Sequence, residues 1–151
     1  MAYTLVEQQS KDLDIFFRDK KKLIHIASGG GQIPKQLAEN DTENEKFKSE
    51  VFNLNQSFEI EISQNLRELL NLDENGYTNY ISDFVDMAKR GYYSYDKTKI
   101  GDFESPTFHL VAKPKDPDER MYLNADKLLK IDEELPDNFE SFDLFSYFKE
   151  K

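Results

Sequence analysis

The chain has no cysteine, no tryptophan and only two histidines in 151 residues. Without cysteine there are no disulfides, no thiolate zinc sites, no iron–sulfur clusters and no cysteine nucleophile. His25 and His109 cannot make a three-histidine metal site, and no H-E-x-x-H pattern occurs. No metal or cofactor is expected. No window approaches ~18 uninterrupted apolar residues. The N-terminal residues, Met1 to Glu7, also lack a basic stretch followed by an apolar run. The expectation is a protein with no membrane segment or secretory leader, located in the cytoplasm. Neither a repeat nor a low-complexity segment divides the sequence. Its length suits one domain, residues 1–151, able to bury its own core.

Basic residues are also in short supply: 20 against 30 acidic, for a formal net charge of −10. The longest basic run is Lys20-Lys21-Lys22. Nucleic-acid backbones are bound by clustered Lys and Arg, so nucleic acid is excluded as a partner. The acidity is concentrated late in the chain. Residues 131–151 hold seven acidic side chains against two basic ones, half of the whole excess. The same stretch carries Phe139, Phe142, Phe145, Tyr147 and Phe148. Acidic tails that stay disordered are poor in aromatics. Residues 131–151 are therefore expected to be a helical, acidic and aromatic segment docked on the domain.

Local signals suggest a mixed order of elements. Thr4-x-x-Glu7 is a capping-box pattern, and Leu5, Val6, Leu13, Phe16 and Phe17 suggest a helix over 4–19. Lys22 to Ala27 reads as an interior strand, because both of its faces are apolar. Thr42-x-x-Glu45 suggests a second capping box, opening a helix over 42–54 with Phe47, Val51, Phe52 and Leu54 inward. Phe58 to Ile62 alternates as a half-buried strand does. Ser63 is placed to cap a short leucine-rich helix, which Asn75-Gly76 then breaks. The periodicity of Tyr77, Tyr80, Ile81, Phe84, Val85 and Ala88 predicts a helix over 77–90, with Gly91 ending it. Tyr92 to Ser105 looks irregular. Thr107 to Lys113 reads as a second apolar strand, and Met121 to Leu123 as a third. Helix signals recur over Asn124–Lys130 and from Pro136 onward. This order predicts an α+β domain with several helices on a small mixed sheet.

Four local patterns bear on chemistry. Ser28-Gly29-Gly30-Gly31 follows a strand, and its amides are candidates for cradling an anion. It matches neither G-x-x-x-x-G-K-[ST] nor G-x-G-x-x-G, and a strand-terminating turn requiring positive φ is the plainer account. His25 and His109 sit in similar apolar contexts, so neighbouring strands would bring the imidazoles together as two-thirds of a metal site or as an acid–base pair. Asp96, Asp102 or Glu104 would then complete the group, whereas two separately hydrogen-bonded core histidines are the plainer alternative. Asn71-x-Asp73-x-Asn75-Gly76 resembles half of a calcium loop, but Ser82 stands where the closing glutamate belongs, so calcium is rejected. Finally, Arg90, Tyr92, Tyr93, Tyr95 and Asp96 form a polar–aromatic cluster of the kind found at binding surfaces.

No G-x-S-x-G elbow is present, and no serine stands out as a nucleophile. The function expected from these features is a non-catalytic, acidic interaction domain that binds a basic protein partner. Acidic nuclease inhibitors and bacterial immunity proteins work this way by charge steering, and the comparison is one of analogy. The candidate surface is the C-terminal segment or the Arg90–Asp96 cluster, and the C-terminal aromatics are also candidates for a homodimer seam. The alternative is a small-ligand binder or modest enzyme with its pocket near His25, Gly29, Gly30, Gly31 and His109.

Overall fold

The computed structural model describes residues 2–116 and 125–148. Met121 to Leu123, read above as a strand, lies outside them. So does Asn124, where helix signals were seen to resume. Among the described residues a six-stranded mixed sheet carries five α-helices, which makes a small α+β domain. Strand order is β1 (Asp14–Arg18), β2 (Leu23–Ala27), β4 (Tyr92–Lys97), β5 (Thr107–Pro114), β3 (Ile60–Ile62), with β6 (Phe142–Asp143) also paired to β5. The β2–β4 pair is parallel, and every other pairing is antiparallel. No helix among the described residues is long and apolar enough to cross a membrane.

Helix α1 (Leu5–Ser10) opens with the expected capping box, in which Glu7 N–H donates to Thr4 Oγ1 and Thr4 N–H to Glu7 Oε1. It ends nine residues short of the predicted limit, and residues Asp14–Arg18 form strand β1 instead. A surface helix buries one stripe, but Ile15, Phe16 and Phe17 are buried in succession while Leu5 and Val6 are exposed. A strand between two layers buries both faces and accommodates that run. Strand β2 (Leu23–Ala27) is interior and wholly buried, as its sequence implied. The outer edge of β1 is covered. Asn44 accepts from Phe16 N–H and donates to the Asp14 carbonyl, and Arg18 exchanges backbone hydrogen bonds with Leu129 and Ile131. An otherwise open pairing edge is thereby closed.

Helices α2 (Lys35–Glu39) and α3 (Asp41–Phe52) follow. The second capping box does not form, because α3 begins a residue early, at Asp41, with Asn40 as an N-cap that makes no side-chain hydrogen bond. Phe47 and Val51 face inward, but Phe52 and Leu54 are exposed. Strand β3 (Ile60–Ile62) alternates as expected. Helix α4 (Leu66–Leu70) ends at Asn71, whose φ of 53° supplies the left-handed stop. Asn75-Gly76 therefore breaks nothing. Those residues lie in the first turn of α5 (Glu74–Lys89), where Gly76 N–H donates to Asp73 as N-cap. Gly91, at φ 100°, terminates α5.

Residues 92–97, expected to be irregular, are the buried central strand β4 (Tyr92–Lys97). Strand β5 (Thr107–Pro114) lies beside it. Alternation then divides the sheet into two faces. His25, Ser94 and Asp96 point toward α5, whereas Tyr93 and Tyr95 point toward the C-terminal segment. The described residues of that segment, 131–148, form no α-helix; they form strand β6 (Phe142–Asp143) and a 3-10 helix (Leu144–Tyr147), after a short 3-10 turn at Ala125–Lys127. Leu135, Leu144 and Phe148 are buried, and Phe148 meets Phe17 edge to face. The three-residue spacing of Phe139, Phe142, Phe145 and Phe148 that suggested a helix instead reflects successive contacts of the segment with one sheet.

Candidate functional site

Four buried polar groups, His25, Ser94, Asp96 and His109, gather around the parallel strands β2 and β4, under α5. Register places His25 opposite Ser94, and Asp96 opposite His109. With strands spaced about 4.8 Å, the two histidines lie on the order of 10 Å apart or more, on either side of β4. They share no hydrogen bond, and each has its own network.

His25 sits between Ser94, 2.6 Å from Nδ1, and Asp14, 2.8 Å from Nε2. The order Ser–His–Asp is that of a hydrolytic relay. However, His25 is 1% exposed and Ser94 0%, beneath the rings of Phe16 and Phe84. No substrate carbonyl reaches Ser94 there. Asp14 is partly exposed and also meets Lys48 at 3.7 Å. Burial alone would raise its carboxyl, but the hydrogen bond and attraction of His25, with Lys48 adding, hold it below the usual carboxylate range.

His109 belongs to a second chain of groups. Tyr80 donates to Asp96 Oδ2 at 2.6 Å, His109 Nε2 lies 3.0 Å from the same hydroxyl, and Thr98 Oγ1 lies 2.8 Å from Nδ1. With Asp96 ionised, the donors run in one direction. Thr98 O–H donates to His109, His109 Nε2–H to Tyr80, and Tyr80 O–H to Asp96. Protonating Asp96 allows the whole chain to reverse. Burial, with the charge of Asp12 adding, pushes Asp96 up to about 7 against the hydrogen bond from Tyr80. Burial holds His109 down at about 4 and raises the Tyr80 phenol far above its ordinary range. Asp96, Asp102 and Glu104 were the expected third partners of a histidine pair. Only Asp96 joins, and it does so through Tyr80.

No family model, curated protein or solved structure matches this chain. The chemistry of the site is therefore read from its geometry alone. A cleft of about 230 Å³ opens over both networks, lined by Asp12, Asp14, Asp83 and Asp96 with Tyr80 and Phe84. No group of His, Asp and Glu among the described residues is arranged to hold a metal ion.

Gly29 lines this cleft, but the glycine loop is not an open anion cradle. Gly29 N–H donates to Asp12 and Gly31 N–H to the Ser28 carbonyl. Gly29 and Gly30 have φ of 58° and 72°, which accounts for glycine at both. Gly31 has a different reason. A β-carbon there would lie 2.6 Å from both Cδ and Nζ of Lys97, which is buried and donates to the Ser105 carbonyl. Burial lowers the Lys97 ammonium from its ordinary value. Gly31→Ala is expected to destabilise the fold by about 1–3 kcal/mol through overpacking, measured as a lower urea midpoint.

The Arg90 cluster is dispersed over two faces of β4 and the helix end before it. Tyr92 packs on Phe16, Tyr95 donates to the Pro136 carbonyl, and Tyr93 lies under Lys22. Arg90 donates to the Asp86 carbonyl and stacks over Phe52. Sequence reasoning missed Asp12, Asp14, Tyr80, Asp83, Ser94 and Thr98. Tyr80 read as a core position of its helix and Asp14 as a polar position of another. Only long-range pairing brings them to the histidines.

Proposed function

We propose that this chain is a non-catalytic acidic domain that binds a basic protein partner through the outer face of its C-terminal segment. One observation carries the reading. Asp132, Glu133, Glu134, Asp137, Glu140 and Asp143 are all exposed, while the leucines and aromatics between them turn onto the sheet. The acidity is therefore a fixed surface on an ordered backbone, where charge complementarity gives steering and selectivity. Glu134 meets Lys21 at 3.7 Å, an exposed pair that leaves the face strongly negative. The tyrosines at 92, 93 and 95 are occupied within the core, which favours this face over the Arg90–Asp96 cluster.

Two equally charged variants test the reading. One carries Glu133→Gln, Glu134→Gln, Asp137→Asn and Glu140→Gln, and leaves Asp143 as the cap of its 3-10 helix. The other carries Glu50→Gln, Glu59→Gln, Glu61→Gln and Glu68→Gln. Calorimetry with an arginine-rich peptide at low salt is expected to show at least about tenfold weaker binding for the first and little change for the second. Equal losses would reduce the binding to net charge and reject the face. Sedimentation at two concentrations separates this use of the segment from a homodimer seam.

A further inference from the structure

The cleft over Asp96 continues past Tyr80 into a second, larger lobe. That lobe, about 550 Å³, is walled by Leu69, Leu70, Leu72 and Ile100. Tyr80, Asp96 and Ile100 line both lobes, so the two meet across one floor. Leu69 is 46% exposed and Ile100 63%, apolar surface left uncovered at the mouth. The floor is a built one. Asp96 is held by Tyr80, and Tyr80 is backed by His109 and Thr98.

We propose that this two-lobed cleft binds a small primary amine bearing an apolar arm. The ammonium enters the lobe of Asp12, Asp14, Asp83 and Asp96, and the arm lies along the leucines and Ile100. Three features select this class. Among the described residues no lysine or arginine lines the acidic lobe, and His25, which does, is already bound to Ser94 and Asp14, so an anion finds no free counter-charge there. The carboxylates are not arranged for a metal, whereas an ammonium needs only acceptors spread around three N–H bonds. Tyr80 and Phe84 add aromatic faces, which favour a cation. The combined volume of the lobes falls in the range of ordinary small-ligand pockets. Lys99 stands in the lining of the apolar lobe, and Lys48 reaches Asp14 without lining the acidic one. The site lies on the α5 side of the sheet, away from the C-terminal acidic face, and does not depend on that face binding anything.

The test is calorimetry of the full chain with hexylammonium, 1-hexanol and hexanoate as probes. Methyl shifts of Leu69, Leu70 and Ile100 report the position of the arm. Hexylammonium is expected to bind at least about tenfold more tightly than hexanol, with hexanoate silent. Asp83 is exposed and carries no assigned structural bond, so Asp83→Asn should fold and weaken hexylammonium by about tenfold. Leu69→Ser should weaken hexylammonium several-fold and leave methylammonium unchanged. Hexanol binding as tightly as hexylammonium overturns the proposal. Indifference to both substitutions does so too. Tighter binding of a blocked lysine peptide than of hexylammonium would assign the cleft to a partner's side chain instead, and equally overturns it.

Discussion

Replacing Asp19 with alanine is expected to remove about 3–5 kcal/mol of folding stability. The carboxylate is fully buried at the turn between β1 and β2. One oxygen accepts from Lys21 N–H at 2.8 Å and Lys22 N–H at 2.7 Å. The other accepts from Leu135 N–H at 2.9 Å and meets Lys22 Nζ at 2.8 Å. Alanine leaves three N–H groups without their acceptor. It also strands an ammonium whose side chain is 7% exposed and which lies 5.8 Å from the Tyr93 ring. Urea unfolding measures the loss. Adding Lys22→Met should recover part of it, because the uncompensated charge is the larger cost. Hydrogen exchange at Leu135 should accelerate more than at Leu110, since Asp19 ties the hairpin to the C-terminal segment. A loss under about 1 kcal/mol, the level of an exposed pair, would show that Asp19 is not holding that junction.

A second large effect is expected to be hidden in the native chain and exposed by mutation. Asp96 titrates at about 7 in the fold against an ordinary 3.8. Between those values the folded chain keeps a proton that the unfolded chain has released. Raising the pH across that window therefore lowers stability, by roughly 4 kcal/mol once Asp96 is ionised. His109 titrates at about 4 against an ordinary 6.5. Between these values the unfolded chain takes up a proton that the folded chain refuses, so stability falls as the pH falls, by roughly 3 kcal/mol. The two trends oppose each other across nearly the same range. Asp96→Asn removes the first, and stability of that variant should rise from pH 4 to 7 relative to the unmutated chain. His109→Gln removes the second, and stability should fall from pH 4 to 6.5 by the same comparison. Asp14, held low by His25, contributes only below its ordinary 3.8 and leaves this window clear. Stability curves for both variants that run parallel to the unmutated chain would contradict the burial of both groups.

These same groups explain how much of the molecule was legible in its sequence. Helix α5 declared itself because its apolar residues repeat at the helical period, and strands β2 and β5 because each is a short unbroken apolar run. Strand β4 did not. Tyr92 to Lys97 looked like a polar loop because hydropathy reads Ser94, Asp96 and Lys97 as solvated. Each is instead satisfied from far along the chain, by His25, Tyr80 and the Ser105 carbonyl. Leu13 to Phe17 failed for a related reason. Five apolar-rich positions fit a helical stripe on paper, and only the closing of β1's outer edge by Asn44 and Leu129 makes a strand the better home. The candidate site shared this limit. Both histidines were visible, but the groups that tie them to the cleft come from α5, β1 and β4, and no local spacing records those meetings. The C-terminal acidity was visible throughout, and its physical meaning changed with the fold. The interleaved aromatics hold the segment to its own sheet and leave the carboxylates outside.

The most direct test of the central claim is a backbone NMR titration with an arginine-rich peptide at low and at high salt. Shifts are predicted to concentrate over residues 132–143, to weaken as salt rises, and to spare the Lys20-Lys21-Lys22 turn. Shifts spread evenly over acidic positions such as Glu59 and Glu68, or unchanged by salt, would contradict a C-terminal acidic interface.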